Sequence, residues 1–229
     1  MNNAVGQTVV DASLEAIARR GKFLFVLNGG DTPKRLFELL GTDLRDKIDW
    51  RKTHIFWGDE RCVAPNDEGS NYGQAREAFL KKIDIPDTNI HRIKGELEPQ
   101  EASKDYALVL KRFANPPFDW PRFDLVLLGM GADGHTASLF PGSEVNASSS
   151  TLAVTAHYQG RPADRVTLTP LVFNAARRIV FLVSGEGKSQ TLADVLYGGY
   201  RPDKYPAQRI RPTDGELIWM VDKPAAKEI

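Results

Sequence analysis

Residues 123–143 read FDLVLLGMGADGHTASLFPGS. The run at 124–128 is short and apolar, as a strand buried on both faces requires, and it stops at Gly129. Gly129, Gly131 and Gly134 then turn the chain, which leaves Asp133 and His135 at the strand's carboxyl end. Open α/β sheets take their ligands just beyond those ends, so this segment points both to the fold and to where its chemistry lies. The glycine spacing formally matches a dinucleotide fingerprint, but that fingerprint needs a long helix and an acidic residue about 20 positions on. Here Pro141-Gly142 breaks in, and Ser148–Ser150 stands where the acid belongs, so nicotinamide binding is not expected. What remains is Asp-Gly-His on a glycine-rich turn. A histidine suits general-base work near neutral pH, and a neighbouring carboxylate orients or polarises it. The plain alternative, a core or capping histidine, is the weaker reading beside three glycines.

Working outward, apolar runs at 23–27, 54–57, 152–155, 165–168, 178–183 and 217–221 read as further strands. Helical patterns at 9–20, 33–40, 71–80, 100–113 and 189–197 separate them, the first with Leu14, Ile17 and Ala18 on its apolar face. The alternation predicts a Rossmann-like α/β fold, a mostly parallel sheet with helices on both faces, built as one domain over residues 1–229.

The 229 residues suffice for a core without disulfide or metal staples. Thirty basic residues balance thirty acidic ones, which excludes a chain-wide funnel for nucleic acid or an anionic membrane and moves attention to local charge. No apolar run approaches the ~20 residues of a membrane span, and the amino-terminal segment lacks a signal-peptide core. A single cysteine, Cys62, makes neither an internal disulfide nor a multi-thiolate metal site. The expectation is a cytoplasmic protein with no metal, and Cys62 reads as a packed residue.

Three other strand ends carry polar residues. After 23–27 come Gly29, Gly30, Asp31, Thr32 and then Pro33 opening a helix. That is either a loop whose amides cradle a phosphate or a helix cap built on Asp31 or Thr32. After 54–57 come Asp59, Glu60 and Arg61, which read either as a carboxylate with an anion-holding arginine or as a solvated turn with a local ion pair. Ser70 or Asn71 caps the following helix, and Asn71 also has the option of facing the site. After 178–183 comes Ser-Gly-Glu-Gly-Lys, where Leu182 stands in place of the first glycine a nucleotide P-loop needs. Lys188 still offers a point charge for a phosphate, as does Arg165; surface charge is the alternative for each alone. Among the other histidines, His54 reads as strand core, and His91 and His157 have no comparable context.

Taken in order, NGGDTPKRLFELL (28–40), IFWGDERCVAPNDEGSNYGQA (55–75), residues 123–143 and RVTLTPLVFNAARRIVFLVSGEGK (165–188) resemble the 6-phosphogluconolactonase family from about Gly21 to the end. The resemblance implies hydrolysis of 6-phospho-D-glucono-1,5-lactone, the second step of the oxidative pentose phosphate pathway, with no cofactor and no metal. It implies His135 as general base, Asp133 as its orienting partner and Arg61, beside Asp59, near the reacting ester. Gly29, Gly30, Asp31 and Thr32, with Arg165 and Lys188, would bind the 6-phosphate. The partner is then a small sugar-phosphate lactone, and the chain a monomer or homodimer, with no nucleic acid and no membrane. A δ-lactone is an activated ester, so one base with positive charge near the oxyanion suffices. No G-x-S-x-G nucleophile motif is present, which favours direct attack by water.

Two departures stand out. The family commonly has serine where this chain has Asn28 and Asp31, so Asp31 is expected to contribute its backbone amide rather than its side chain. The amino-terminal segment is shorter than is usual, so an edge element of the sheet is expected to be trimmed. Glucosamine-6-phosphate deaminase shares the Gly-Gly-x-Thr-Pro loop and the Asp-Gly-His motif, but residues 57–61 and 135–141 resemble the lactonase. A non-catalytic sugar-phosphate sensor on the same fold is the remaining alternative, although this chain keeps His135 and Asp133 and has no basic helix-turn-helix extension.

Overall fold

The computed structural model describes residues 1–143 and 148–229. Its strands form where apolar runs are continuous: all five residues of β1 (Phe23–Leu27) are buried, as are the last three of β2 (Thr53–Trp57). With α1 (Asn2–Arg20), α2 (Lys34–Leu40), β3 (Asp59–Arg61), α3 (Asn71–Ala78), β4 (Ile90–His91), α4 (Pro99–Lys111) and β5 (Leu125–Gly129) they make the first half. The second holds β6 (Thr151–Thr155), β7 (Asp164–Leu168), α5 (Pro170–Asn174), β8 (Arg178–Val183), α6 (Ser189–Tyr197) and β9 (Glu216–Val221).

The main sheet has six strands in the order β4-β2-β1-β5-β8-β9, and every pairing is parallel. The expected α/β architecture is therefore present. Two of the expected strands do not join it: β6 and β7 pair antiparallel with each other, and β7 pairs antiparallel with β3. The physical reason lies in the connection. Residues 156–163 are too few for the crossover that a parallel pairing needs, so they close a hairpin. Neither edge of the main sheet comes from the amino-terminal segment, because β4 and β9 supply them.

Helix α1 starts earlier than its periodicity suggested and turns differently. Val5, Val9, Val10, Ala12 and Ala16 are buried, whereas Leu14 is 58% exposed. The stripe that packs against β1 and α2 is the small β-branched and alanine one, and Leu14 lies off it. No helix among the described residues is long and apolar enough to cross a membrane.

The edge pair β2–β4 brings together two histidines. His54 Nδ1 and His91 Nε2 lie 3.1 Å apart, and the His91 ring packs on Phe56 at 4.5 Å and Phe113 at 4.8 Å. One shared proton satisfies that contact, and a second charge would break it. Burial, and then the charges of His54 and Arg112, push His91 down from 6.5 to about 4; burial and Lys22 also lower His54. At His91 the unfolded chain thus binds more protons than the native one between about pH 6.5 and about pH 4, so this residue's contribution to stability rises with pH across that window. Urea unfolding of the protein and of His91→Phe at several pH values should show the difference between them shift against the unsubstituted protein as the pH drops below 6.5; a pH-independent difference would refute the assignment.

Candidate active site

The carboxyl ends of β1, β2, β5 and β8 open on one cavity of about 210 Å³. Its wall carries Asn28, Gly29, Gly30, Asp31 and Thr32 from the loop after β1, and Asp59, Arg61 and Asn71 from the β3–α3 region. Gly131 and His135 follow β5, Lys188 follows β8, and Tyr158, Gln159, Arg161 and Arg165 come from the β6–β7 hairpin. Every site residue expected from the sequence lines this cavity except Asp133, which stands immediately behind His135.

The Asp133–His135 contact is local in origin. Gly134, at φ +82°, turns the chain so that Asp133 Oδ1 reaches His135 Nδ1 at 2.6 Å and its backbone N–H at 3.1 Å. The imidazole is clamped between Phe140 (centroids 4.6 Å apart, stacked) and the edge of Tyr158 at 4.7 Å. Burial alone would raise the Asp133 carboxyl, but the hydrogen bonds and charge of His135 outweigh it and hold the group below its ordinary value. With Nδ1 occupied, Nε2 is the nitrogen left for a ligand.

Asp59 and Glu60 diverge, as neighbours on a strand must. Asp59 lines the cavity and is buried. Its Oδ2 accepts from Ser138 Oγ (2.7 Å), and its Oδ1 from Asn71 Nδ2 (3.2 Å). The Asn28 amide, oriented by its partners, donates to Asp59 Oδ1 at 2.6 Å and accepts from Gly129 N–H at 3.1 Å. Glu60 points the other way and takes the backbone N–H groups of Arg61, Asn71 and Tyr72 and the hydroxyl of Ser70. Burial pushes its carboxyl up to about 7 against those hydrogen bonds. Ser70 caps α3 by accepting from Gly73 N–H, which leaves the Asn71 side chain for the site. The Asn71 Oδ1 is buried with no partner among the described residues. Burial raises the Cys62 thiol to about 11, in keeping with a packed residue.

The antiparallel register sets Arg61 directly opposite Arg165. Both are buried, and Arg61 Nε, Arg165 Nε and Arg165 Nη2 have no hydrogen-bond partner among the described residues. Like charges facing across a strand pair are unfavourable, and each orphaned buried donor costs about 1–3 kcal/mol. An anionic ligand relieves both. Burial, reinforced by Arg61 and Arg161 and opposed by Asp59, lowers the Arg165 guanidinium from its usual value; its cation sits 5.4 Å above the Phe140 ring. Burial likewise lowers Lys188, against the pull of Asp222 and Asp31.

The loop after β1 does not cap α2 with a side chain. Thr32 Oγ1 instead meets Ser184 Oγ at 3.2 Å, and the exposed Asp31 carboxylate pairs with Lys34 at 2.7 Å and Arg161 at 3.2 Å. Its hydrogen bond with Lys34 is the main reason the Asp31 carboxyl lies below its usual value. Arg161, Tyr158 and Gln159 were not legible as site residues from the sequence. The one signal for them is the short spacing between β6 and β7, which makes residues 156–163 a hairpin tip rather than a crossover. Among the described residues, no group of three or more His, Cys, Asp or Glu side chains is placed to hold a metal ion.

The family model for glucosamine-6-phosphate isomerases/6-phosphogluconolactonase matches residues 1–219, which gives the class of protein that this fold and cavity define. The chain is 40% identical over 217 residues to a 6-phosphogluconolactonase of Synechocystis sp., covering 94% of this chain and 88% of that one. A crystal structure of a protein named devB superposes with a TM-score of 0.90 at 40% identity, covering 100% of this chain and 96% of that one. The 6-phosphogluconolactonase of Trypanosoma brucei superposes at 0.83 with 28% identity, covering 99% and 93%. Within the wider class, the chain belongs to the 6-phosphogluconolactonase family.

Gly131 tests how tightly the dyad is built. A Cβ there would lie 2.1 Å from His135 Nδ1 and 2.6 Å from Asp133 Oδ1. Gly131→Ala should therefore part the pair, seen by NMR as loss of the low-field ring N–H signal of His135, while far-ultraviolet circular dichroism is unchanged. A retained signal would show that the loop has slack.

Proposed function

We propose that this chain hydrolyses 6-phosphogluconolactone to 6-phosphogluconate by direct attack of water, with His135 as general base. The observation that carries the reading is one cavity holding an imidazole backed by a carboxylate at 2.6 Å together with Arg61, Arg161, Arg165 and Lys188. A base poised for one proton and a surplus of cations for a phosphorylated substrate are what the reaction needs.

Asp133 keeps the proton on Nδ1, so His135 Nε2 accepts a proton from water as the oxygen adds to the lactone carbonyl. The tetrahedral oxyanion that forms is stabilised by the unpaired guanidinium donor of Arg61. Collapse breaks the bond between the carbonyl carbon and the ring oxygen, and the imidazolium returns its proton to that oxygen. The products are a carboxylic acid, ionised at neutral pH, and a free hydroxyl. Asp59 does not act as the base in this scheme, because Asn28, Asn71 and Ser138 occupy its oxygens. The 6-phosphate rests on the backbone of Gly29–Thr32 with Lys188 and Arg165 and is joined by Arg161. Asp31 serves there through its backbone, its carboxylate holding Lys34 and Arg161. Binding energy at that remote group positions the reacting carbon.

His135→Ala should lower kcat by about 10²-fold or more, measured as the excess over spontaneous hydrolysis of freshly made lactone. Lys188→Ala should mainly raise KM, as expected for a contact shared by ground and transition states. Unchanged turnover in the His135 variant would remove the general-base role. The activity itself is tested by offering phosphorylated lactone, unphosphorylated lactone and glucosamine 6-phosphate side by side. Preference for the first supports the reading, and ammonia release from the last overturns it.

A further inference from the structure

A second cavity lies at the opposite ends of the strands, where β1, β5 and β8 begin, roughly 16 Å from the active site at about 3.3 Å per strand residue. Arg20, Lys22, Arg112, Arg122, Arg177 and Asp124 line it. Arg20 and Arg177 both approach Asp124 Oδ1, at 2.8 and 3.3 Å, while Asp124 Oδ2 accepts from Leu24 N–H at 2.8 Å. Arg122 pairs with Asp214 at 3.0 Å. Among the described residues neither Lys22 nor Arg112 has an ion-pair partner, so five cations face two carboxylates. Some of that charge offsets the carbonyl ends of α1 and α4, which both finish here. Two of the five cations are thus left without an ion pair, and the Arg177 Nε meets Asp124 as an ion pair without hydrogen-bond geometry. Burial, then Arg20 and Arg122, hold the Arg177 guanidinium below its usual value.

An apolar groove adjoins this cleft and shares Asn115, Arg122 and Arg177 with it. Its wall is the stacked pair Phe118 and Trp120, with centroids 5.1 Å apart and planes 22° apart. Phe118 is 47% exposed, and the Trp120 indole N–H is buried with no acceptor among the described residues. An exposed aromatic face beside a cationic cleft asks for one ligand with a planar ring and an anionic tail. We propose that the two cavities together bind a nucleoside phosphate, with its phosphates among the cations and its base on the Phe118–Trp120 face.

The test is calorimetric titration of the full chain with ATP and with tripolyphosphate. ATP should bind saturably and about tenfold more tightly than tripolyphosphate, the gain expected from stacking one base. The Lys22→Glu/Arg112→Glu double variant should weaken both ligands about tenfold or more, since phosphate contacts dominate such affinities. Phe118→Ala should weaken ATP alone. Both variants lie outside the catalytic cavity and should keep basal activity, which also reports that they fold. Lys188→Ala, in the catalytic cavity, should leave ATP binding unchanged whatever the reaction there proves to be. Absence of saturable ATP binding, equal affinity for tripolyphosphate, or loss of binding in Lys188→Ala rather than in the double variant would each overturn the proposal.

Discussion

A carboxylate taken out of water must be hydrogen-bonded on every side or it costs several kcal/mol, and Asp59 is such a group at the centre of this molecule's working end. Its oxygens gather Asn28 from the end of β1, Asn71 from the start of α3 and Ser138 from the loop after β5. Three loops that diverge in sequence are thereby fixed to one point. Its neighbour Glu60 does the same on the other side of the strand, accepting from the N–H groups of Asn71 and Tyr72 at the start of α3 and from that of Arg61 on its own strand. The loops that line the cavity are positioned by these two buried acids rather than by packing alone.

The same economy explains how a chain of zero formal charge builds a positive pocket. Most surface cations are neutralised by near neighbours, as Arg92 is by Glu96 and Lys81 by Glu77. Arg61 and Arg165 are not: the β3–β7 register sets them side by side, buried, with donors unspent. That arrangement is unfavourable in the empty protein and favourable once an anion arrives, so local strain becomes ligand affinity. The small antiparallel sheet is therefore more than a flap. It carries Arg165 in its middle strand and Arg161 in its hairpin tip, and it lays Tyr158 against the His135 imidazole.

Much of this was readable in the chain itself where the physics is local. Five of the six strands of the main sheet announce themselves as apolar runs; β4, two residues long and half-buried, does not. The Asp133–His135 pair spans two residues around one glycine, so its geometry follows from the turn. Leu14 shows the limit of the same reasoning: its helical spacing is right, but which stripe of α1 is buried is set by the rest of the fold, and the leucine falls outside.

By itself, then, the sequence determined the α/β class, the glycine-rich turns at the strand ends and the dyad, because each rests on residues within a few positions of one another. Only the tertiary structure decided that β7 pairs with β3, that Arg161 reaches Asp31 and that Asn71 turns inward. It alone separated Asp59, facing the cavity, from Glu60, facing α3. Those outcomes depend on contacts between segments far apart in the chain, such as Ser138 with Asp59 across 79 positions. No local preference encodes such a contact; it exists only when the fold brings a buried charge and its donors to one place.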